Sequence, residues 1–233
     1  MQFTTGRAYR AASPRSASLR ASAAAGSSTR AAPRTTARTV PTARKYSGGV
    51  PAPTVARIDP GRRALAHHEA GHAVVATVLG GTVTKAYLLP DDDPSSDGGR
   101  CYVTNLPPHA EAAYFYGGSF AEAYAAHGGP PTPAHVRRVV LANTRDHAAL
   151  VAAGAPRPSD VPRIISTCWQ SIDGLAKKLY TEGTIGQPDV DTALGLPDAE
   201  RDPEARAHAL AAIRAGSVPG TFEVISRDSA WKL

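Results

Sequence analysis

Asp59 to Gly81 reads DPGRRALAHHEAGHAVVATVLGG, and the five residues at its centre, His68-Glu69-Ala70-Gly71-His72, decide how the chain is read. Asp59 is a good N-cap. Pro60 suits the first helical position, where its missing N–H costs nothing. An Ala-rich run follows to Leu79, and Gly80-Gly81 stops it as a helix C-terminus should. The pattern predicts a helix over 59–79. Residues i and i+4 of a helix share a face about one turn apart. The imidazoles of His68 and His72 can therefore meet at one tetrahedral zinc ion, at metal–nitrogen distances of about 2.0–2.1 Å. Glu69 projects beside them, placed to take a proton from the activated water and pass it to a leaving amine. His67 points away from that face and reads as a surface or supporting residue. Ala73 to Gly81 contains no further histidine, so a third protein ligand is expected from another element.

Working outward, residues 82–89 (TVTKAYLL) are apolar and β-branched and read as a strand. Residues 90–99 (PDDDPSSDGG) form a polar turn segment, and 100–106 (RCYVTNL) a returning strand. The acidic run Asp91-Asp92-Asp93 lacks the spacing and closing Glu of a calcium loop and reads as a solvated turn. Helices are expected over 109–127, about 133–153, from an Asp160 cap to Gly183, and over about 198–215. The predicted fold class is mainly α, a helical zinc-peptidase domain with a small antiparallel β hairpin.

Charge divides the chain. Residues 1–58 hold nine Arg and Lys45 with no acidic residue, whereas the remainder has 16 basic and 20 acidic residues. The overall net charge of +6 thus belongs to the N-terminal segment, and specific nucleic-acid binding is not indicated for the folded part. That Arg-, Ser- and Ala-rich segment reads as a disordered basic tail or as a transit peptide. Cys101 and Cys168 sit in no CxxC and form no disulfide framework. A cytoplasmic location is expected, or an organelle if residues 1–58 are a transit peptide. No membrane span is read from the hydropathy. The expected organisation is the tail at 1–58, a peptidase domain at 59–195, and a C-terminal helical extension and tail at 196–233.

His68 to Ala76 (HEAGHAVVA) resembles the active-site helix of the FtsH-type peptidases, the protease half of membrane-bound AAA proteases. The hairpin after it is similar to that family's small β element. Tyr116 to Ala123 (YGGSFAEA) resembles a second conserved helix of the family, with Ser119 where a basic residue is usual and Ala123 where an acid is usual. The resemblance spans roughly 60–190. It implies Zn2+ as cofactor, held by His68, His72 and an Asp from a downstream helix. Asp146 in RDHAAL is the best match, 74 residues after His72. Glu122, Asp160 and His127 compete for that role, and Glu122 alternatively orients a ligating histidine. His147, next to Asp146, is left unassigned. The 233 residues contain no Walker A sequence. The chain accordingly looks like a stand-alone relative lacking the ATPase module, acting on protein or peptide substrates. A homo-oligomer or a separate ATPase partner is what the resemblance implies. The leading expectation is a zinc metalloendopeptidase, ATP-independent on its own, with Glu69 as the catalytic base. The alternative is a noncatalytic zinc-binding interaction module. An edge strand, either 82–89 or 100–106, is the candidate to bind an extended substrate, and a plain structural hairpin is the alternative.

Overall fold

A computed structural model of the chain describes residues 59–89, 98–154 and 157–221. The basic segment 1–58, most of the polar turn segment 90–99 and the end of the chain from 222 lie outside the described residues. The fold is predominantly helical, with one three-stranded antiparallel sheet.

Helix α1 (Pro60–Val78) is its axis. Asp59 caps it by accepting from the Gly61 N–H at 2.9 Å, with Pro60 inside the first turn. From Ala66 to Val78 every residue of α1 is buried, on all sides of the helix. A helix so enclosed needs neighbours all round. They are α2 (Glu111–His127), α6 (Trp169–Glu182) and strand β1 (Thr82–Leu88). Strand β2 (Gly99–Thr104) pairs antiparallel with β1, with a register irregularity between Val83 and Lys85. On its other side β1 pairs with a two-residue strand β3 (Thr184–Ile185), giving the order β2-β1-β3. The expected hairpin is therefore present, extended by a strand too short to show a period of two in sequence. It leaves β2 as an edge strand and β1 in the centre.

Two expected helices are divided. The one expected over 133–153 is α3 (Pro133–Ala142) and α4 (Thr144–Ala152), separated at Asn143 (φ −84°, ψ 70°). The Asn143 amide donates to the Glu122 carboxylate at 2.9 Å and to the Val139 carbonyl at 3.1 Å. These bonds fix it outside helical geometry. The one expected from 160 is α5 (Val161–Thr167) and α6, relaxed for a single residue at Cys168. Asp160 does not cap it with its side chain but pairs with Arg163 at 3.4 Å on the surface. Gly183 (φ +78°) ends α6 as expected. Helix α7 (Gln187–Leu194) falls in a stretch to which the sequence reading assigns no element, and α8 is Pro203–Ala215, capped by Asp202. Ile164, Ile172, Leu179, Leu194 and Ile213 join Val74, Val75 and Val78 in one core. At about 1.5–3 kcal/mol for each fully buried aliphatic side chain, this layer offsets the cost of enclosing the polar middle of α1.

His67 is corrected. It is not a surface residue but is only 2% exposed. Its Nδ1 bonds the Arg63 carbonyl at 2.8 Å, its Nε2 meets Asp173 at 3.1 Å, and its ring stacks on Trp169 at 5.6 Å. It fastens α1 to α6. Among the described residues no helix is long and apolar enough to cross a membrane.

Candidate metal centre

The i, i+4 spacing on α1 sets the His68 and His72 rings 4.7 Å apart, edge to face, with the two Nε2 atoms 3.0 Å from each other. The turn at Asn143 brings in the third residue. It starts α4 so that Asp146, in its first turn, reaches back to α1. Asp146 Oδ2 lies 2.8 Å from His68 Nε2 and 2.9 Å from His72 Nε2. The three ligand atoms form a nearly equilateral triangle. Ligands of a tetrahedral zinc at ~2.0–2.1 Å stand roughly 3.3 Å apart, so the observed triangle opens by only a few tenths of an ångström to fit. Among the described residues this is the one group of three or more His, Cys, Asp or Glu side chains able to hold a metal ion.

The hydrogen bonds behind the imidazoles establish which donors face the centre. His68 Nδ1 meets Glu122 Oε2 at 3.0 Å, and His72 Nδ1 meets the Tyr114 carbonyl at 2.7 Å. A carboxylate and a carbonyl only accept, so both Nδ1 atoms carry the hydrogen. The Nε2 lone pairs are left to converge, together with the Asp146 carboxylate, on one point. Three lone pairs 2.8–3.0 Å apart repel unless a cation lies between them. The donor set therefore fits Zn2+ by its chemistry as well as its spacing. In the metal-free chain a proton takes that place. Burial alone would lower the His68 imidazole, but hydrogen bonds to Asp146 and Glu122, with the charge of Glu69, push it up to about 10. Burial alone would raise the Asp146 carboxyl. The His72 charge and the hydrogen bonds from His68 and His72 hold it far below the usual carboxylate range instead. Glu122 is likewise lowered, its burial outweighed by the hydrogen bond with His68.

Helix α2 can approach this close because it presents glycine. A Cβ at Gly118 would lie 2.7 Å from His68 Nε2 and closer still to His72 Nε2. One turn along α1, a Cβ at Gly71 would meet the Gly117 carbonyl at 2.8 Å and Ala121. Any larger residue at 118 would collide with both Nε2 atoms.

Glu69 is 4% exposed and forms part of the wall of a cavity of about 600 Å³ that also contains the His68, His72 and Asp146 side chains. Burial raises its carboxyl, partly countered by the His72 and His68 charges and by Arg145. Gly99, opening β2, packs against it, since a Cβ there would stand 3.1 Å from Glu69 Oε1. The rest of the cavity is made by β2, by the start of α2 including Tyr114 and Phe115, and by the corner at 142–146. Tyr114 stacks obliquely on His72 at 4.7 Å and donates its hydroxyl to the Cys101 carbonyl at 2.7 Å. Burial raises its phenol well above the usual range, so it remains a donor.

Of the competitors for third ligand, Glu122 lies behind His68, Asp160 is on the surface with Arg163, and His127 is exposed against His135. His147 turns into a second cavity with Tyr116 and Phe120. The sequence reading misses three participants: Asn143, which holds the Glu122 carboxylate, Tyr114, and Gly99. Asn143 leaves a signal, an amide three residues before Asp146 in a run otherwise read as one helix. Tyr114 acts at the metal ligand through its backbone carbonyl, which no residue type advertises.

No known family model matches the chain, and no curated protein matches its sequence. The chain is mainly helical, with a zincin-type arrangement in which His68 and His72 on one helix, with Glu69 beside them, and Asp146 from another form a group able to hold Zn2+.

Proposed function

We propose that this protein is a zinc metalloendopeptidase, with Glu69 as catalytic base and His68, His72 and Asp146 as metal ligands. The observation that carries this reading is the convergence of three lone-pair donors at the floor of an open cavity with a buried carboxylate beside them. Bound zinc supplies a Lewis acid for the scissile carbonyl and a water acidic enough to ionise near neutral pH. Glu69 takes up the proton of the attacking water and returns it to the leaving amine. Its enclosed position keeps that proton from bulk solvent. Glu122 and the Tyr114 carbonyl hold both imidazoles in one tautomer. Strand β2 edges the cavity, whereas β1 is paired on both sides, so β2 is the strand on which an extended peptide is held.

The FtsH-type peptidases remain the family proposed for this chain. Supporting this are HEAGH on a buried helix, the hairpin that follows, the Gly117-Gly118 pair packed on that helix, and Asp146 at the expected distance along the chain. With it we propose a peptidase domain over 59–195, a C-terminal extension over 196–233, and action in the cytoplasm, or in an organelle if residues 1–58 direct it there. Cleavage itself needs no ATP. Self-assembly or an ATPase partner would govern access to folded substrates. A structural zinc site is closed by four protein ligands, and no fourth His, Cys, Asp or Glu joins the three among the described residues.

The test is zinc content and peptide hydrolysis measured together. The chain should bind about one zinc per molecule and cleave an unfolded casein-like substrate. Glu69→Gln should retain the metal and lose about 10²–10⁴-fold in rate. Tight zinc with no cleavage of any unfolded substrate would sink the enzymatic reading.

A further inference from the structure

Strand β2 offers its outer edge to the cavity, and the hydrogen bonds identify which groups face outward. The Leu89 N–H donates to the Gly98 carbonyl at 2.7 Å. In an antiparallel strand the backbone groups of alternate residues turn to opposite sides. Gly98, Arg100 and Tyr102 therefore face β1, while Gly99, Cys101 and Val103 face the open edge. The Tyr114 hydroxyl agrees with this, since the Cys101 carbonyl accepts from α2 at 2.7 Å. The middle acceptor of the edge thus already holds one hydrogen bond, from a residue whose own carbonyl orients the ligand His72 at 2.7 Å.

We propose that Tyr114 is a positioning residue that weakens the middle hydrogen bond of the substrate-binding edge: its hydroxyl competes for the Cys101 carbonyl, so an extended peptide is held by Gly99 and Val103 and little by the acceptor between them. This rests on the peptidase reading above. A strand laid along an uncapped edge gains an N–H···O bond at every second residue and slides in steps of two at little cost. Every register sets a donor opposite Cys101, so the hydroxyl weakens the bond at that one fixed point of the edge whichever residue stands there. The same side chain ties the edge to α2. The height of the bound peptide above the metal ligands is then fixed by Tyr114 at both ends, through its carbonyl on His72 and its hydroxyl on β2.

The test is a backbone N-methyl scan of one peptide substrate, read as KM and kcat. It is repeated as Kd by fluorescence anisotropy on the zinc-loaded Glu69→Gln chain, which does not depend on turnover. The wild-type chain should show two sensitive positions four residues apart, each losing about fivefold in KM and Kd. The position midway between them should tolerate methylation with less than twofold change. In Tyr114→Phe the middle position should become sensitive, with zinc content unchanged and the effect falling on KM more than on kcat. Equal sensitivity at all three positions in the wild-type chain would overturn the proposal, and that result needs no variant to fold. A tolerant middle position that persists in Tyr114→Phe would overturn it too. If the wild-type chain neither cleaves nor binds any peptide, the peptidase reading itself falls, an outcome distinct from a peptide cleaved without this pattern.

Discussion

Helix α1 meets its two helical neighbours in opposite ways. Against α2 the contact is made of almost nothing: Gly71 and Val75 on one side, Gly117, Gly118 and Ala121 on the other, with backbone in near contact. Against α6 it is made of large groups: His67, Trp169 and Asp173, with Tyr124 of α2 packed on Trp169 at 4.3 Å. The first contact leaves room for a metal centre. The second makes a core that holds the helix still. Two adjacent histidines thus do different work, His67 anchoring the helix and His68 facing the metal, because a helix turns about 100° between consecutive residues. Rigidity sits on one face of α1 and chemistry on the other.

The sharpest way to break this contrast is Gly118→Ala. Its new methyl group takes the space of the ligand atoms, so zinc affinity should fall by at least about 100-fold, a loss of the size found when the geometry of a metal site is disturbed. Competition against a zinc chelator measures it. A chain with unchanged affinity would show that α2 yields easily and that the close contact is incidental.

Next in size is Glu122→Gln. It keeps the shape of the support behind His68 but removes its charge, and should weaken zinc binding about 10–100-fold. Asp173→Asn, the equivalent change behind His67, should leave zinc affinity unaltered, and the ratio of the two measures how separate the faces are.

Proton linkage gives a third effect. In the metal-free chain the His68 pKa is raised to about 10, so the imidazole is protonated at neutral pH. Its stabilising contribution to the metal-free fold is complete below the ordinary histidine value and is lost as pH rises through about 10. Zinc must displace that proton. Apparent affinity should rise with pH, about tenfold per unit between roughly pH 7 and 9, with a proton released on binding. Calorimetry in two buffers of different ionisation enthalpy reads the release. Affinity flat in pH over that range would contradict the hydrogen-bond arrangement described here.

The smallest effect is the counterpart of the first. Gly174 on α6 has nothing within 4 Å of where a Cβ would stand. Gly174→Ala should therefore stabilise the fold by about 0.5–1 kcal/mol, read from thermal or denaturant unfolding, with zinc affinity unaltered. Two helical glycines, one substitution, opposite outcomes: the difference lies only in what each faces.

What could be read from the sequence follows the same division. Helix α1, its Asp59 cap, the His68–His72 pair and Glu69 are local, fixed by spacing along one helix, and their placement agrees with the reading. Strands β1 and β2 were legible through their β-branched pattern. The breaks at Asn143 and Cys168 were not, because neither carries a glycine or proline. The first is made by a carboxylate on another helix, and the second falls at a buried thiol. Asp146 is reached by resemblance, and no local pattern distinguishes it from an ordinary first-turn aspartate. Its role depends on the corner at Asn143, which is a tertiary event. Whether His67 lies on the surface or in a supporting role is not legible locally, because its face of α1 is covered by α6, more than a hundred residues later in the chain.

The central claim is that two imidazoles and one carboxylate, and nothing else from this chain, hold the metal. X-ray absorption at the zinc edge of the chain loaded with one equivalent tests it most directly. Cys101 lines the same cavity, so a different answer is within physical reach. The account predicts a shell of nitrogen and oxygen only, with the outer-shell scattering of two imidazoles, reduced in occupancy by Asp146→Ala. A sulfur at about 2.3 Å, or a spectrum that Asp146→Ala leaves unchanged, would contradict it.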